Sequence, residues 1–292
     1  MKLIDFLLLI SLAAIWGSSF IFMRASAESF GPIALIAARI IIAAVFMLGF
    51  LVNKRHFREF IQHWHIFAFI GLFCTAAPFT LLAYSSLSLT GGTVSILNAM
   101  TPVFTALIAH FAIQIYMNKL QFFGMFISIL GLVFLVWDTV SWSIHSWLPI
   151  LAGVVAGFLY GVSNNITKKY LSDVSVFTSS SASLLFAALF MTVLLPFFMP
   201  DFSQITSQDW LYVFLLGVVC TSIAAIIHFK LIKTIGPTSA ATVTFLIPIF
   251  SFIWGYLLLE EQLTGRMIGA TIIILFGMSL VTGLLKLKNN KN

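Results

Sequence analysis

Charge is what this chain has least of. Asp, Glu, Lys and Arg make up 8% of its 292 residues, and only nine residues are acidic. A soluble domain carries about 25% charged residues, so this composition cannot build a solvated surface. That excludes a water-soluble enzyme, a nucleic-acid-binding domain and a disordered chain. Cysteine is scarce too: Cys74 and Cys220 both sit inside apolar runs, which argues against a disulfide framework and for reduced, packed thiols. Catalytic signatures are missing as well. There is no H-E-x-x-H, no G-x-S-x-G, no P-loop and no acidic pair at intramembrane depth. His and Cys are scattered, so no metal, cofactor or catalytic residue is expected.

Apolar surface is what the chain has in excess. Hydrophobic residues reach 61%, with 31 Phe. A spanning helix needs about 20 predominantly apolar residues. The runs predict ten: Ile4–Met23, Ile33–Val52, His65–Ser86, Thr93–Ile115, Leu120–Trp137, Trp147–Thr167, Ser175–Met199, Trp210–Lys233, Ser239–Leu259 and Leu263–Leu285. The breaks have physical causes. Gly31-Pro32, Gly91-Gly92 and Gly236-Pro237 are turn dipeptides, and Asn53-Lys54-Arg55-His56 cannot stay in hydrocarbon. Ala25-Ser26-Ala27 imitates a signal-peptide cleavage site, but the preceding run is long enough to span and reads as retained.

The basic residues orient these spans. With the N-terminus inside, 12 of the 15 Lys and Arg fall in inside segments, Arg24 and Arg266 fall outside, and Arg39 lies within a span. By the positive-inside rule both termini are cytoplasmic. The expected location is a bacterial inner (plasma) membrane, crossed many times.

The two halves of the chain resemble each other. Ala43-Ala44-Val45-Phe46-Met47 matches Ala187-Ala188-Leu189-Phe190-Met191 at an offset of 144, which also lays Trp16-Gly17-Ser18-Ser19 over Tyr160-Gly161-Val162-Ser163. At 146, Gly71-Leu72-Phe73-Cys74-Thr75 matches Gly217-Val218-Val219-Cys220-Thr221, and Thr101-Pro102 matches Ile247-Pro248. Each half holds five spans, and an odd number forces the second half to insert upside down. That defines an inverted-topology repeat, residues 1–140 and 141–292, together forming one transmembrane domain. Such repeats build secondary transporters, with substrate near the midplane between the halves.

Trp16-Gly17-Ser18-Ser19-Phe20 through Arg24, the span-2 Arg39, and the stretch from Pro248 through Leu259-Glu260-Glu261-Gln262-Leu263-Thr264 to Gly269 resemble the EamA-type repeat of the drug/metabolite transporter superfamily. The resemblance covers both halves. It implies ten helices in an inverted repeat, and export or exchange of small metabolites. The first half departs from the pattern after span 4, where Gln114 and Asn118 stand in a segment without a carboxylate.

Polar groups inside a membrane face a partner helix or a cavity. Asn98 in span 4 and Asn164 in span 6 fit either, because a primary amide has four hydrogen-bonding sites to satisfy. Trp16, Ser19, Tyr84, Asn98, Tyr160, Asn164, His228 and Trp254 form the expected substrate cavity. Pro102 and Pro248 each remove an i→i−4 bond and are expected helix bends. Arg39 reads first as an anchor snorkelling to the outer interface, then as partner of an acid or holder of a substrate carboxylate. Gly124, Ser128 and Gly131 in span 5, and Gly265 and Gly269 in span 10, are expected packing seams. The partners implied are a small-molecule substrate and the lipid bilayer, with no nucleic acid, and nothing in the sequence bears on oligomeric state. The first substrate guess is an amino acid or related metabolite. A lipid-carrier or drug flippase of the same fold is the alternative, and a membrane enzyme or structural subunit a third. No acid lies at midspan depth, so passive exchange is expected over proton antiport, with His228 the remaining candidate proton carrier.

Overall fold

The computed structural model describes residues 2–137, 144–235, 240 and 242–284. The repeat boundary at residues 140 and 141 and the Gly236-Pro237 turn lie outside the described residues. Those residues form helices and connecting turns, without a strand: α1 (Leu3–Phe30), α2 (Pro32–Met47), α3 (Lys54–Phe69), α4 (Ala77–Ser85), α5 (Gly91–Asn98), α6 (Thr101–Ala112), α7 (Lys119–Val136), α8 (Ile144–Tyr170), α9 (Val176–Leu194), α10 (Ser207–Gly217), α11 (Ala224–Ile235), α12 (Val243–Leu259) and α13 (Gly265–Val281). Two π-helical segments, Ile70–Ala76 and Val218–Ile223, join α3 to α4 and α10 to α11.

Among the described residues, eight helical stretches are long and apolar enough to cross a bilayer, including Lys54–Ser85 and Ser207–His228, each of which contains a π segment. The last two helices, α12 and α13, are equally apolar but hold 17 residues each. That is about 25 Å of helix at 1.5 Å per residue, slightly short of a hydrocarbon core of about 30 Å. The outer surface agrees with lipid as solvent. On α7, Phe123, Phe126, Leu130 and Phe134 are exposed along one face, while Gly124, Ser128 and Gly131 are buried on the other.

Helix-to-helix contact runs through small residues. A Cβ on Gly124 would lie 2.6 Å from the Gly277 carbonyl oxygen, and one on Gly131 2.7 Å from Ile274, so α7 and α13 lie backbone to backbone. The seam expected at Gly265 is misplaced: that residue, at the start of α13, has nothing within 4 Å, and Gly277 does its work. Gly17 of α1 meets Phe250 and Ser251 of α12, and Gly161 of α8 meets Phe104 and Thr105 of α6. Both cysteines are free and buried, as expected.

Two helix ends share an unusual conformation. The non-glycine residues with left-handed φ, among those described, are Gln114 (57°) and Glu260 (52°). Each ends an apolar helix by turning the next N–H back onto it. The Ile115 N–H donates to the Ala109 carbonyl at 3.0 Å, and the Glu261 N–H to the Gly255 carbonyl at 3.0 Å.

Candidate functional site

A cavity of about 890 Å³ runs between the helices, within the range of small-molecule sites. Its closed end is formed by buried groups of α1, α2 and α5, including Ser19, Met23, Arg39 and Ser95. Its other end is lined by exposed Asn164, Lys168, Thr282 and Leu284, so it opens to that side. Of the residues expected from sequence, the cavity brings together Trp16, Ser19, Asn98, Tyr160, Asn164 and His228. Two others are elsewhere. Tyr84 lines a second cavity of about 1020 Å³ with Glu28, Asp201 and Asp209. The Trp254 indole N–H donates to the Ala14 carbonyl at 3.0 Å, tying α12 to α1.

Local backbone chemistry shapes the wall. Span 4 is not one helix but α5 and α6, broken at Ala99 and Met100. Pro102 lacks the N–H that would reach the Asn98 carbonyl four residues back. The Thr101 hydroxyl takes that carbonyl instead, at 2.7 Å. Asn98 then faces the cavity with an amide oxygen that accepts no hydrogen bond from any described residue. Pro248, by contrast, lies within a continuous α12. The two prolines therefore sit in unlike local structures, Pro102 at the start of a helix and Pro248 inside one.

Asn164 and Asn165 divide the labour of α8. Asn164 is exposed and its amide donates to the Thr105 hydroxyl at 3.1 Å. Asn165 is buried, and its amide nitrogen donates to the Thr105 carbonyl at 3.0 Å and the Gly161 carbonyl at 2.8 Å. Sequence reading missed Asn165, although the pair Asn164-Asn165 was there to be seen. Trp16 packs against His228 with ring centroids 5.2 Å apart.

Arg39 departs most from expectation. It does not snorkel; the side chain is 3% exposed and lines the cavity. Its Nε donates to the Thr221 hydroxyl at 3.0 Å, one terminal nitrogen lies 3.4 Å from the Met23 sulfur, and Cζ stands 4.0 Å above the centre of the Phe79 ring. Thr221 belongs to the second π segment and in turn donates to the Leu216 carbonyl at 2.8 Å. A π bulge frees a carbonyl and turns a side chain inward, and such bulges recur at functional sites. No carboxylate pairs with Arg39 among the described residues. Removing an ion from water costs several kcal/mol. The Phe79 face returns about 2 kcal/mol when desolvated.

Beyond Ser95, on the side of the cavity away from Lys168, the start of α5 is closely packed. The Gly91 N–H donates to one Glu261 carboxylate oxygen at 2.8 Å and the Gly92 N–H to the other at 3.5 Å, so this acid sits on the N-terminus of α5. A Cβ on Gly92 would lie 2.6 Å from Phe252, which leaves no room for a passage there. Beside it, one terminal nitrogen of Arg24, inside α1 rather than in a loop, donates to the carbonyls of Ser86 (2.6 Å) and Leu87 (2.7 Å).

The EamA-like transporter family matches this chain twice, over residues 3–137 and 147–283. An uncharacterized transporter, YoaV, of Bacillus subtilis (strain 168) is 23% identical over 94% of this chain and 95% of its own length. An uncharacterized transporter of Buchnera aphidicola subsp. Schizaphis graminum is 27% identical over 86% of this chain and 84% of its own. Protein PagO of Salmonella typhimurium is 24% identical, with 82% of each chain covered. A crystal structure with 16% identity shares the fold at a TM-score of 0.69, over 98% of this chain and 100% of the other.

Proposed function

The chain belongs to the EamA-like transporter family, and from that premise we propose that it is a secondary transporter moving a small organic metabolite by alternating access through the central cavity. It is a multi-pass membrane protein, and membership of a transporter family fits a chain that is not an enzyme. In the proposed topology ten helices form two inverted five-helix halves in the inner membrane, with both termini cytoplasmic. The exposed mouth at Lys168 then faces the cytoplasm, and the Gly91–Glu261 closure faces out.

The observation that carries this reading is the pairing of contacts between the halves. The offset of 144 carries Gly17 onto Gly161, and 146 carries Phe104 and Thr105 onto Phe250 and Ser251. The contact of Gly17 with Phe250 and Ser251 thus has a counterpart in that of Gly161 with Phe104 and Thr105. Gly71 against the Ser183 carbonyl and Gly217 against the Arg39 carbonyl form a second such pair. Two halves that present equivalent faces to each other can exchange conformations, which converts one open end into the other.

The test is counterflow in proteoliposomes with a panel of amino acids, nucleosides and cationic dyes. Exchange of at least one organic solute is expected without an imposed ΔpH, and His228→Ala should leave it running. Accumulation that requires ΔpH and is abolished by His228→Ala would replace passive exchange by proton antiport. No exchange of any solute would remove the transporter assignment.

A further inference from the structure

The cavity holds a buried cation that the protein does not neutralise. Arg39 is a guanidinium with five N–H donors. One goes to Thr221 and one side meets a thioether, a weak acceptor. The second terminal nitrogen makes no hydrogen bond to any described residue, and among the described residues no Asp or Glu lines the cavity. The other side chain in the lining with a fixed positive charge, Lys168, is exposed at the mouth. The rest of the wall is chiefly apolar and aromatic, with Phe20, Phe79, Phe245, Trp16 and Tyr160.

We infer that the transported solute is an apolar monocarboxylate anion whose carboxylate docks on Arg39. The inference rests on the transporter reading above and narrows its substrate. One buried guanidinium balances one negative charge, and its planar fork matches a carboxylate in two parallel N–H···O bonds. A phosphate dianion would need a second cation at the same depth, and the lining offers none. A zwitterionic amino acid would satisfy Arg39 with its carboxylate but would carry its ammonium into a wall without an acid. The unpartnered Asn98 amide oxygen is a neutral acceptor. It suits an N–H or hydroxyl on the solute and cannot balance a second positive charge. The aromatic faces then take the apolar body.

Three aromatic probes of similar shape, phenylacetate, phenylacetamide and phenylalanine, together with inorganic phosphate, separate the cases. Ligand-induced thermal stabilisation of the full chain in detergent reads binding, because a ligand that binds only the folded state raises the melting temperature. Counterflow reads transport. Phenylacetate should bind at least about tenfold more tightly than the other three, which corresponds to 1.4 kcal/mol. Arg39→Lys should keep the preference for the anion and Arg39→Gln should erase it. Equal stabilisation by phenylalanine or phenylacetamide, stronger stabilisation by phosphate, or a preference that survives Arg39→Gln would overturn the proposal. If either variant fails to fold, the wild-type ranking still decides. Stabilisation by phenylacetate with no counterflow would keep the anion site and sink the transporter reading. Counterflow of a neutral or zwitterionic probe in preference to phenylacetate would do the reverse.

Discussion

Asn164 and Asn165 are neighbours with the same chemistry, and the 100° turn between successive helical residues gives them different tasks. Asn165 fastens α8 to the backbone of α6 through the Thr105 carbonyl, while its amide also donates to the Gly161 carbonyl of α8 itself. Asn165→Ala leaves the Thr105 carbonyl without that partner, at a cost of about 1–3 kcal/mol. The variant should melt several degrees lower in detergent. Asn164→Ala and Asn98→Ala remove groups at the cavity wall, and should keep the wild-type melting temperature while lowering transport about tenfold, the effect of one polar contact near 1.4 kcal/mol. Unchanged stability in Asn165→Ala would place its hydrogen bonds among the dispensable ones. Sequence alone gives the residue type and depth of Arg39 but not its direction. Snorkelling and burial differ by which neighbour the helix face meets, and here that neighbour is the second π segment with Thr221. The Gly217–Thr221 repeat marks that segment in the sequence, but its π geometry follows from packing against α2.

Elements that the sequence makes equivalent differ where one residue differs. The offset of 146 lays Gln114 over Glu260, and these share the left-handed turn that ends their helices. The same offset lays Ile115 over Glu261. Glu261 reaches the first amides of α5, where its charge meets the positive end of the helix; an isoleucine has no oxygen to offer such a site. The departure noted after span 4 thus has a structural consequence: Glu261 holds the N-terminus of α5, and the first half lacks the matching acid. The two N–H···carboxylate bonds and the helix dipole together hold the closure by about 1–2 kcal/mol. Glu261→Gln keeps an acceptor and loses the charge. It should shift the conformational balance five- to thirtyfold toward opening at the Gly91 end. Labelling of Ser95→Cys by a bulky thiol reagent added from that side, with Cys74 and Cys220 replaced, should rise accordingly. Labelling that stays at the background level in Glu261→Gln would show that packing of Gly92 against Phe252 is the whole closure. Pro102 and Pro248 give the same lesson: the repeat makes them equivalent, yet Thr101 supplies a hydroxyl where the second half has Ile247.

At the scale of the whole molecule, hydropathy was enough to locate the helices, because lipid requires every backbone group to be satisfied within its own segment. Of the turn dipeptides, Gly31-Pro32 separates two helices, whereas Gly91-Gly92 forms the first turn of α5. What these signals missed was internal: the break in span 4, the π segments, and the fact that Tyr84 and Trp254 face away from the cavity. Those depend on which helix lies beside which, and the contacts join one half to the other throughout. α1 packs on α12, α6 on α8, α2 on α9, and α7 on α13. A single half would leave all four seams open, so neither should fold alone. The proposed inverted arrangement makes a stricter demand on insertion. Five helices per half return the chain to the opposite side of the bilayer, so repeat-equivalent loops must face opposite ways. The loops after Lys54 and Lys119 correspond in the second half to the segments near Met199 and Gly265. Reporter fusions after Lys54, Lys119, Lys169 and Lys233 should therefore read cytoplasmic, and those after Gly91, Gln204 and Gln262 periplasmic. Arg24 and Arg266 are the basic residues that this assigns to the outer side, and Arg24 is held by the Ser86 and Leu87 carbonyls there. Reversed signals at two or more sites would break the alternation, and with it the assignment of the Lys168 mouth to the cytoplasm and of the Glu261 latch to the outside.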